Sequence, residues 1–386
     1  MAFSFSFAGD DIDENESVGD QAANLPNSTG SILPQPQPSD SSASAFPVQG
    51  KPLLPPTHHD LSLMLSRLPS KIAYSTLTVD LEGGRGTIEI PRRELWDVRV
   101  QLMAEEENNE SVSESQAGLG EHDVKTGIYE GGFKSWESSV DLVKVLASEN
   151  AQQVLLRDPC FVAELGCGTA LPSLALFQWA IAGRKNNTTA TGESPSPLVL
   201  TLADYNPSVL YLVTLPNFIL AWALEKREEV PVLEEAFTTC EGELELTADV
   251  LTAFTDFLTS SQITLSFLSG AWSPEFVDLL YSSSIVHGST MASARPQTLV
   301  IGAETIYSPF ALESFMNTLL TVLRRERNER PTGYAAAIIA AKKLYFGVGG
   351  SLDDFVDKMR AAGAVVDTLR EESSGVRRGV VKCLLP

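Results

Sequence analysis

One stretch limits what this chain can fold into more than any other: Phe161-Val-Ala-Glu-Leu-Gly-Cys-Gly-Thr-Ala-Leu-Pro172. An apolar run from Phe161 to Leu165, interrupted only by Glu164, stops at a Gly-x-Gly turn made by Gly166 and Gly168. A helix-like run from Leu171 to Ala180 follows. Strand, tight turn and helix together form the unit of a doubly wound α/β sheet, and this unit aims backbone N–H groups at a small ligand. The two glycines remove Cβ atoms that would keep a ligand off the backbone. Glu164 sits near the strand's C-terminal end, where a carboxylate meets a cationic or hydroxylated ligand. A dinucleotide fingerprint needs a glycine three residues after Gly168, and Leu171 stands there instead. S-adenosylmethionine has no phosphate but carries an ammonium group, a sulfonium and a ribose, so these residues suit it better than a pyrophosphate. Taken alone, the turn is also compatible, less favourably, with a βα connection that binds nothing.

The rest of the chain repeats the strand and helix alternation. Phe161–Leu165, Leu198–Ala203, Ile263–Leu268, Thr298–Ala303 and Tyr334–Ala341 are largely apolar and read as buried parallel strands. Helical segments fall between them at Leu171–Ala180, Pro207–Thr214 with Asn217–Glu225, Pro274–Tyr281 and Pro309–Arg327, with Pro207, Pro274 and Pro309 in first turns. Ser351–Ala362 is the last helix, and Val365–Leu369 with Val380–Leu384 reads as a terminal antiparallel hairpin. The expected fold is therefore α/β, an open Rossmann-like sheet of seven strands spanning residues 124–386. Upstream, Ile72–Val79, Thr87–Ile90 and Leu95–Leu102 read as a small antiparallel β extension, with Gly83–Gly86 as a turn and residues 104–123 as an acidic loop. Residues 1–60 are rich in Ser, Pro, Gln, Asp and Gly and read as a largely disordered acidic tail. Within it, Phe3, Phe5 and Phe7 alternate as a docking strand would. His59–Leu68 suits a short helix stopped by Pro69. Gly183–Pro197 and Glu228–Glu245 read as surface insertions.

A net charge of −22 argues against a nucleic-acid or anionic-membrane surface and favours a basic protein partner. The four cysteines, Cys160, Cys167, Cys240 and Cys383, show neither metal spacing nor a disulfide framework, as expected of a reducing compartment. The four histidines suggest no metal site, and no leader or membrane span is legible. The apolar run Leu210–Leu224 is broken by Pro216 and Asn217.

In a sheet of this kind ligands sit outside the C-terminal strand ends. Those ends carry Glu164, Gly166 and Gly168; then Asp204, Tyr205 and Asn206; then Gly270, Ala271 and Trp272; then Glu304 and Tyr307. Asp204 can accept ribose hydroxyls. Asn206 suits a helix cap before Pro207 as well as a ligand contact. Backbone at Ala271 can meet an adenine edge, and Trp272 can stack on it or simply fill the core. Gly127–Ser139, which contains Trp136, reads as a flap over the cofactor or as a helix start capped by Ser135. Lys342–Gly350 reads as a wall on the substrate side.

These motifs resemble those of the eukaryotic histidine protein methyltransferases. The resemblance rests on Gly127–Val140, Glu164–Gly168, Asp204-Tyr-Asn206, Thr214-Leu-Pro-Asn217, Glu304-Thr-Ile-Tyr307 and Lys342–Gly350, and on the Phe-rich, then acidic, N-terminus. Ala271 departs from the pattern, since related enzymes commonly carry an acid there. The resemblance implies a seven-strand S-adenosylmethionine-dependent protein-histidine N-methyltransferase acting on a large-subunit ribosomal protein. It also implies a monomer in cytoplasm and nucleus, with no direct nucleic-acid or membrane contact. The cofactor would lie on Trp136, Glu164, Gly166, Gly168, Asp204, Asn206, Ala271, Trp272 and Glu304, with Glu304 and Tyr307 orienting the acceptor imidazole. Two other readings stay open at this level: a lysine methyltransferase of the same sheet, and an inactive module that binds a ribosomal protein.

Overall fold

The computed structural model describes residues 47, 50, 52–108, 124–125, 129–130, 132–188, 195–237, 242–283, 297–347 and 349–386. Phe3, Phe5 and Phe7, His122, Cys240 and His287 lie outside the described residues.

In chain order the strands are β1 (Thr57–His59), β2 (Lys71–Asp80), β3 (Thr87–Arg93), β4 (Val124–Lys125), β5 (Tyr129–Glu130), β6 (Cys160–Leu165) and β7 (Leu198–Asp204). They continue with β8 (Glu243–Glu245), β9 (Ile263–Ser269), β10 (Gln297–Ala303), β11 (Tyr334–Lys342), β12 (Val365–Glu372) and β13 (Arg378–Leu384). The helices are α1 (Leu61–Leu65), α2 (Leu95–Asn108), α3 (Glu137–Ser148), α4 (Ala151–Arg157), α5 (Leu171–Thr188) and α6 (Pro207–Val209). After these come α7 (Leu215–Lys226), α8 (Pro231–Ala236), α9 (Ala248–Ser260), α10 (Pro274–Ser283), α11 (Pro309–Glu329) and α12 (Leu352–Ala361).

The main sheet has the order β1-β9-β7-β6-β10-β11-β13-β12. Strands β9, β7, β6, β10 and β11 run parallel, and β13 lies antiparallel to both β11 and β12. The order reverses at β6, so the C-terminal ends of β6, β7 and β10 surround the switch-point crevice. The apolar runs are continuous because helices cover both faces. Alternate residues of β6 pack to opposite sides: Cys160 and Val162 join one core with Leu174, Phe177, Phe218 and Trp222, and Phe161, Ala163 and Leu165 join the other with Phe276, Leu312, Phe315 and Phe355.

The five parallel strands and the terminal hairpin stand where the sequence places them. Four expectations are corrected. Leu95–Leu102 is not a strand but the start of α2, whose Leu95, Val98 and Leu102 share one buried face. The third strand of the accessory sheet is β8, inside the supposed insertion after Glu228; it pairs with β2, Ile72 opposite Leu244. The end of the tail belongs to the main sheet: β1 pairs antiparallel with β9, Thr57 opposite Ser269 and His59 opposite Phe267. The break expected at Pro216 is absorbed. Residues 210–214 form a π-helical turn in which the Leu215 N–H reaches the Leu210 carbonyl, so Pro207–Lys226 runs as one helix. Pro216 has no N–H for the Leu212 carbonyl, and the Arg93 guanidinium takes that acceptor at 2.9 Å. This helix is long and apolar enough to cross a membrane, but 78% of its most apolar window is buried inside the protein.

Candidate active site

The Gly-x-Gly loop after β6 is built from three sides. From within, Asp204 at the end of β7 accepts the Gly168 N–H at 3.0 Å through one oxygen, and the Asn206 N–H at 3.0 Å through the other. From beneath, the Thr214 hydroxyl donates to the Gly168 carbonyl at 2.7 Å, and the Asn217 side-chain amide donates to the Thr169 carbonyl at 3.0 Å. The oxygen of the same Asn217 side chain accepts the Arg93 N–H at 2.7 Å, which ties the accessory sheet to the loop. From above, the chain before α3 lies on the loop. A Cβ on Gly168 would stand 3.0 Å from the Gly132 carbonyl, and Ser135 Oγ is 3.0 Å from Thr169 Oγ1. Gly166 has φ +70°, and a Cβ there would meet Thr305 Cγ2 at 2.6 Å. Both glycines are therefore demanded by close approach.

Glu164 is buried and accepts the Ser173 N–H at 3.1 Å, in the first turn of α5. Burial pushes its carboxyl up to about 8, and the nearby Asp204 adds to the rise. Burial likewise pushes Asp204 up to about 6, against the pull of its backbone N–H donors. Two acids thus lie near one another at the switch point, and among the described residues no cation enters the causes of their shifts, an arrangement suited to a cationic ligand.

The other strand ends converge on the same place. Trp272 packs edge-on against Phe315 with ring centroids 5.3 Å apart, its Cζ2 on the Gly166 side. Its indole N–H and the Thr305 hydroxyl are buried without a partner among the described residues. Asn206 caps α6, its side-chain oxygen accepting the Ser208 N–H at 2.9 Å. The Ala271 N–H, expected to be open to an adenine edge, is taken by the Leu54 carbonyl at 2.9 Å. That contact belongs to a strap formed by the end of the tail. The Leu54 N–H reaches the Tyr205 hydroxyl at 3.0 Å, and the ring nitrogens of His59 lie 2.9 Å from Tyr211 Oη and 2.8 Å from Ser269 Oγ.

Glu304, after β10, adopts φ +59°, a left-handed backbone that a residue with a side chain holds only when its surroundings compel it. Its carboxylate accepts hydroxyl hydrogens from Ser138 at the start of α3 and from Tyr345 after β11. Burial raises its pKa, opposed chiefly by the charge of Lys342. The Lys342 ammonium lies 5.3 Å from the Trp136 ring centroid and 5.7 Å from that of Tyr345. The sequence pairs Glu304 with Tyr307, and the structure pairs it with Tyr345. Tyr307 packs half-buried against the second core, and its carbonyl accepts the Gly350 N–H at 3.0 Å. Trp136, not Ser135, occupies the cap position of α3. Of the expected flap, residues 126–128 and 131 lie outside the described residues.

The start of α3 is anchored from the far side. Arg378 on β13 bonds Asp141 at 2.8 Å and Glu137 at 2.5 Å, both on α3. Tyr345, Ser138, Thr214 and Asn217 were missed as site residues. Thr214, Asn217 and Tyr345 stand in motifs that the sequence singles out, but these partners are 41 to 48 residues away along the chain, so their roles appear only on folding.

No family model matches the chain. The E. cuniculi Mtq2–Trm112 methyltransferase complex shares 9% identity over 66% of this chain and 98% of its own, with a TM-score of 0.28, too low to carry an argument. Sequence relatives are more telling. Histidine protein methyltransferase 1 of Saccharomyces cerevisiae is 32% identical over 99% of this chain and 98% of its own. Its namesake in Schizosaccharomyces pombe is 33% identical over 78% of this chain and 76% of its own. With the Gly-x-Gly crevice and its two acids at the switch point, this similarity places the chain in the histidine protein methyltransferase 1 family, enzymes that use S-adenosylmethionine.

Proposed function

We propose that this enzyme methylates a histidine of a basic large-subunit ribosomal protein, with Glu304 orienting the acceptor ring. The observation that carries the cofactor side is the convergence of buried Glu164, at the end of β6, and partly buried Asp204, at the end of β7, on the Gly-x-Gly loop and the start of α5, where burial pushes both carboxyls up. The orphaned Trp272 indole N–H and Thr305 hydroxyl beside Gly166 supply further unfilled polar partners. The residues thus fit S-adenosylmethionine, held by the loop of Gly166 and Gly168 with Glu164 and Asp204 as counter-charges. When bound, S-adenosylmethionine supplies an electrophilic methyl group on a positively charged sulfur.

On the acceptor side, a neutral imidazole is already nucleophilic near pH 7, with an unperturbed pKa of about 6.5. The protein's task is alignment and tautomer choice. In this reading Glu304 accepts the ring N–H remote from the attacking nitrogen, and its charge offsets the positive charge that the ring acquires. Ser138 and Tyr345 hold that carboxylate in one position, and Lys342 favours its ionised form. The ribosomal assignment is supported by the motif resemblance and by the net charge of −22, which speeds encounter with a basic protein. The test is transfer of labelled methyl into large-subunit proteins from cells lacking this chain, followed by peptide mapping. Label on a histidine of one such protein is expected. Absence of label from every large-subunit protein removes the ribosomal assignment, and label on lysine removes the acceptor assignment.

A further inference from the structure

A charge opposite in sign to Glu304 is built into the same corner of the crevice. Lys342 is the last residue of β11 and is half-buried. Its ammonium lies 5.3 Å from the Trp136 ring centroid and 5.7 Å from that of Tyr345, within cation–π range of both. Those two side chains belong to the elements that hold Glu304. Trp136 caps α3 two residues before Ser138, whose hydroxyl donates to the Glu304 carboxylate, and the Tyr345 hydroxyl donates to its other oxygen. One tyrosine thus meets the carboxylate through its hydroxyl and the ammonium over its ring. Glu304 is itself only half-buried, so this corner is open to a second side chain.

The other charges on the elements around Lys342 are matched among themselves. Arg378, opposite Lys342 in the pairing of β11 with β13, bonds Asp141 and Glu137 of α3. Arg370 on β12 bonds Glu82, and Lys343 bonds Asp353 and Glu371. Lys342 makes no ion pair among the described residues, and aromatic faces fix its position. Its charge is therefore the one most available to act across the corner that Glu304 faces, and it is the largest influence opposing the rise that burial gives the Glu304 carboxyl.

A carboxylate that accepts the remote ring N–H does more than orient an imidazole. An opposite charge at this distance favours the imidazolium, which has no lone pair on the attacking nitrogen. Attack needs the neutral ring: the new N–C bond forms from that lone pair while the methyl's bond to sulfur breaks with its electron pair going to sulfur. The positive charge then on the ring leaves with the remote proton. Glu304 alone would orient the acceptor and also trap it in its inert form. A fixed cation beside the same carboxylate opposes the trapping and leaves the hydrogen bond intact. We infer that Lys342 is a positioning residue of this kind, keeping the acceptor imidazole neutral while Glu304 orients it. This rests on the reading of Glu304 as the acceptor-orienting group.

The test is the pH profile of methylhistidine formation. The probe is whole protein extract from cells lacking this chain, with labelled S-adenosylmethionine saturating at every pH. Rates are read where they no longer rise with extract concentration, so the acid limb belongs to the bound complex. Lys342→Met and Lys342→Gln remove the charge, and Lys342→Arg keeps it. Both neutral variants should move the acid limb up by about one pH unit, which is about ten-fold in rate below the limb, with a much smaller change at the high-pH plateau. Lys342→Arg should restore the wild-type limb, and Tm and S-adenosylmethionine affinity should match wild type in all three. Added to Glu304→Gln, Lys342→Met should still move the limb upward, because the group it acts on is the acceptor ring. A limb that stays in place, an equal loss at every pH, or the same shift in Lys342→Arg overturns the inference. A shift that vanishes in the Glu304→Gln background overturns it too, since Lys342 then acts on Glu304 alone. The reading of Glu304 is judged separately by the plateau: a wild-type plateau in Glu304→Gln removes it, whether or not the limb moves in the Lys342 variants.

Discussion

Asn217 offers the sharpest test of how the cofactor loop is held. It is buried, it donates to the Thr169 carbonyl at 3.0 Å, and it accepts the Arg93 N–H at 2.7 Å. Asn217→Leu keeps a side chain of similar size and removes both bonds. Each backbone group left buried and unpaired costs about 1–3 kcal/mol. The two together come to about 2–6 kcal/mol, with the upper part reduced by the apolar contact that leucine gains. Against a total stability of about 5–15 kcal/mol this is a large fraction. It should lower Tm by roughly 5–15 °C. Releasing Thr169 also frees one side of the Gly-x-Gly loop, so S-adenosylmethionine should bind at least about five-fold more weakly, near 1 kcal/mol of lost preorganisation. Thr214→Val removes only the hydroxyl that serves the Gly168 carbonyl, and should show the same two effects at smaller size. Differential scanning fluorimetry and titration calorimetry read both quantities. If Asn217→Leu melts within about 2 °C of wild type and binds the cofactor normally, the loop is not held from beneath, and the reasoning fails.

Three further outcomes are expected. In the cofactor-free protein Glu164 stands at about 8 and Asp204 at about 6, both above their ordinary values, so the stability that their protonated forms contribute is complete below the unfolded-state pKa values and lost as pH rises through about 6 and 8. A cationic cofactor favours the ionised forms, so its affinity should rise between pH 6 and 8 with proton release on binding. Calorimetry in buffers of different ionisation enthalpy measures that release, which Glu164→Gln should largely remove; an unchanged release in that variant would clear Glu164 of the role. Glu304→Gln keeps the shape but not the charge, and should lower turnover by about ten-fold or more with nearly unchanged cofactor affinity; wild-type turnover would remove Glu304 from the mechanism. Deleting residues 1–60 should lower Tm and cofactor affinity relative to deleting residues 1–50, because only the longer deletion removes the strap on Gly270, Ala271 and Tyr205. Equal melting and binding by the two truncations would show that the strap does not matter.

The parallel core of the sheet was legible in the amino-acid order, since a strand buried on both faces must be apolar at nearly every residue, and β6, β7, β9, β10 and β11 are. Helix starts were legible for a local reason as well: Pro207, Pro274 and Pro309 stand in first turns, and Asn206 and Ser308 cap their helices within a few residues. The acids at the strand ends were visible once the strands were, because direction along a strand decides which end faces the crevice. Other features depended on partners far away in sequence. β1 and β8 are three residues long and exist because β9 and β2 offer edges to pair with. Leu95–Leu102 admits either period over so short a span, and its helical face was settled by Phe133, Val209 and Leu212 packing against it. Pro216 breaks a helix by local rules, and it does not break this one because Arg93, 123 positions upstream, serves the carbonyl that the proline leaves open. Tyr345 reached Glu304 ahead of Tyr307 because the loop after β11 returns over the end of β10, and only the neighbouring positions of those two strands in the sheet put it there.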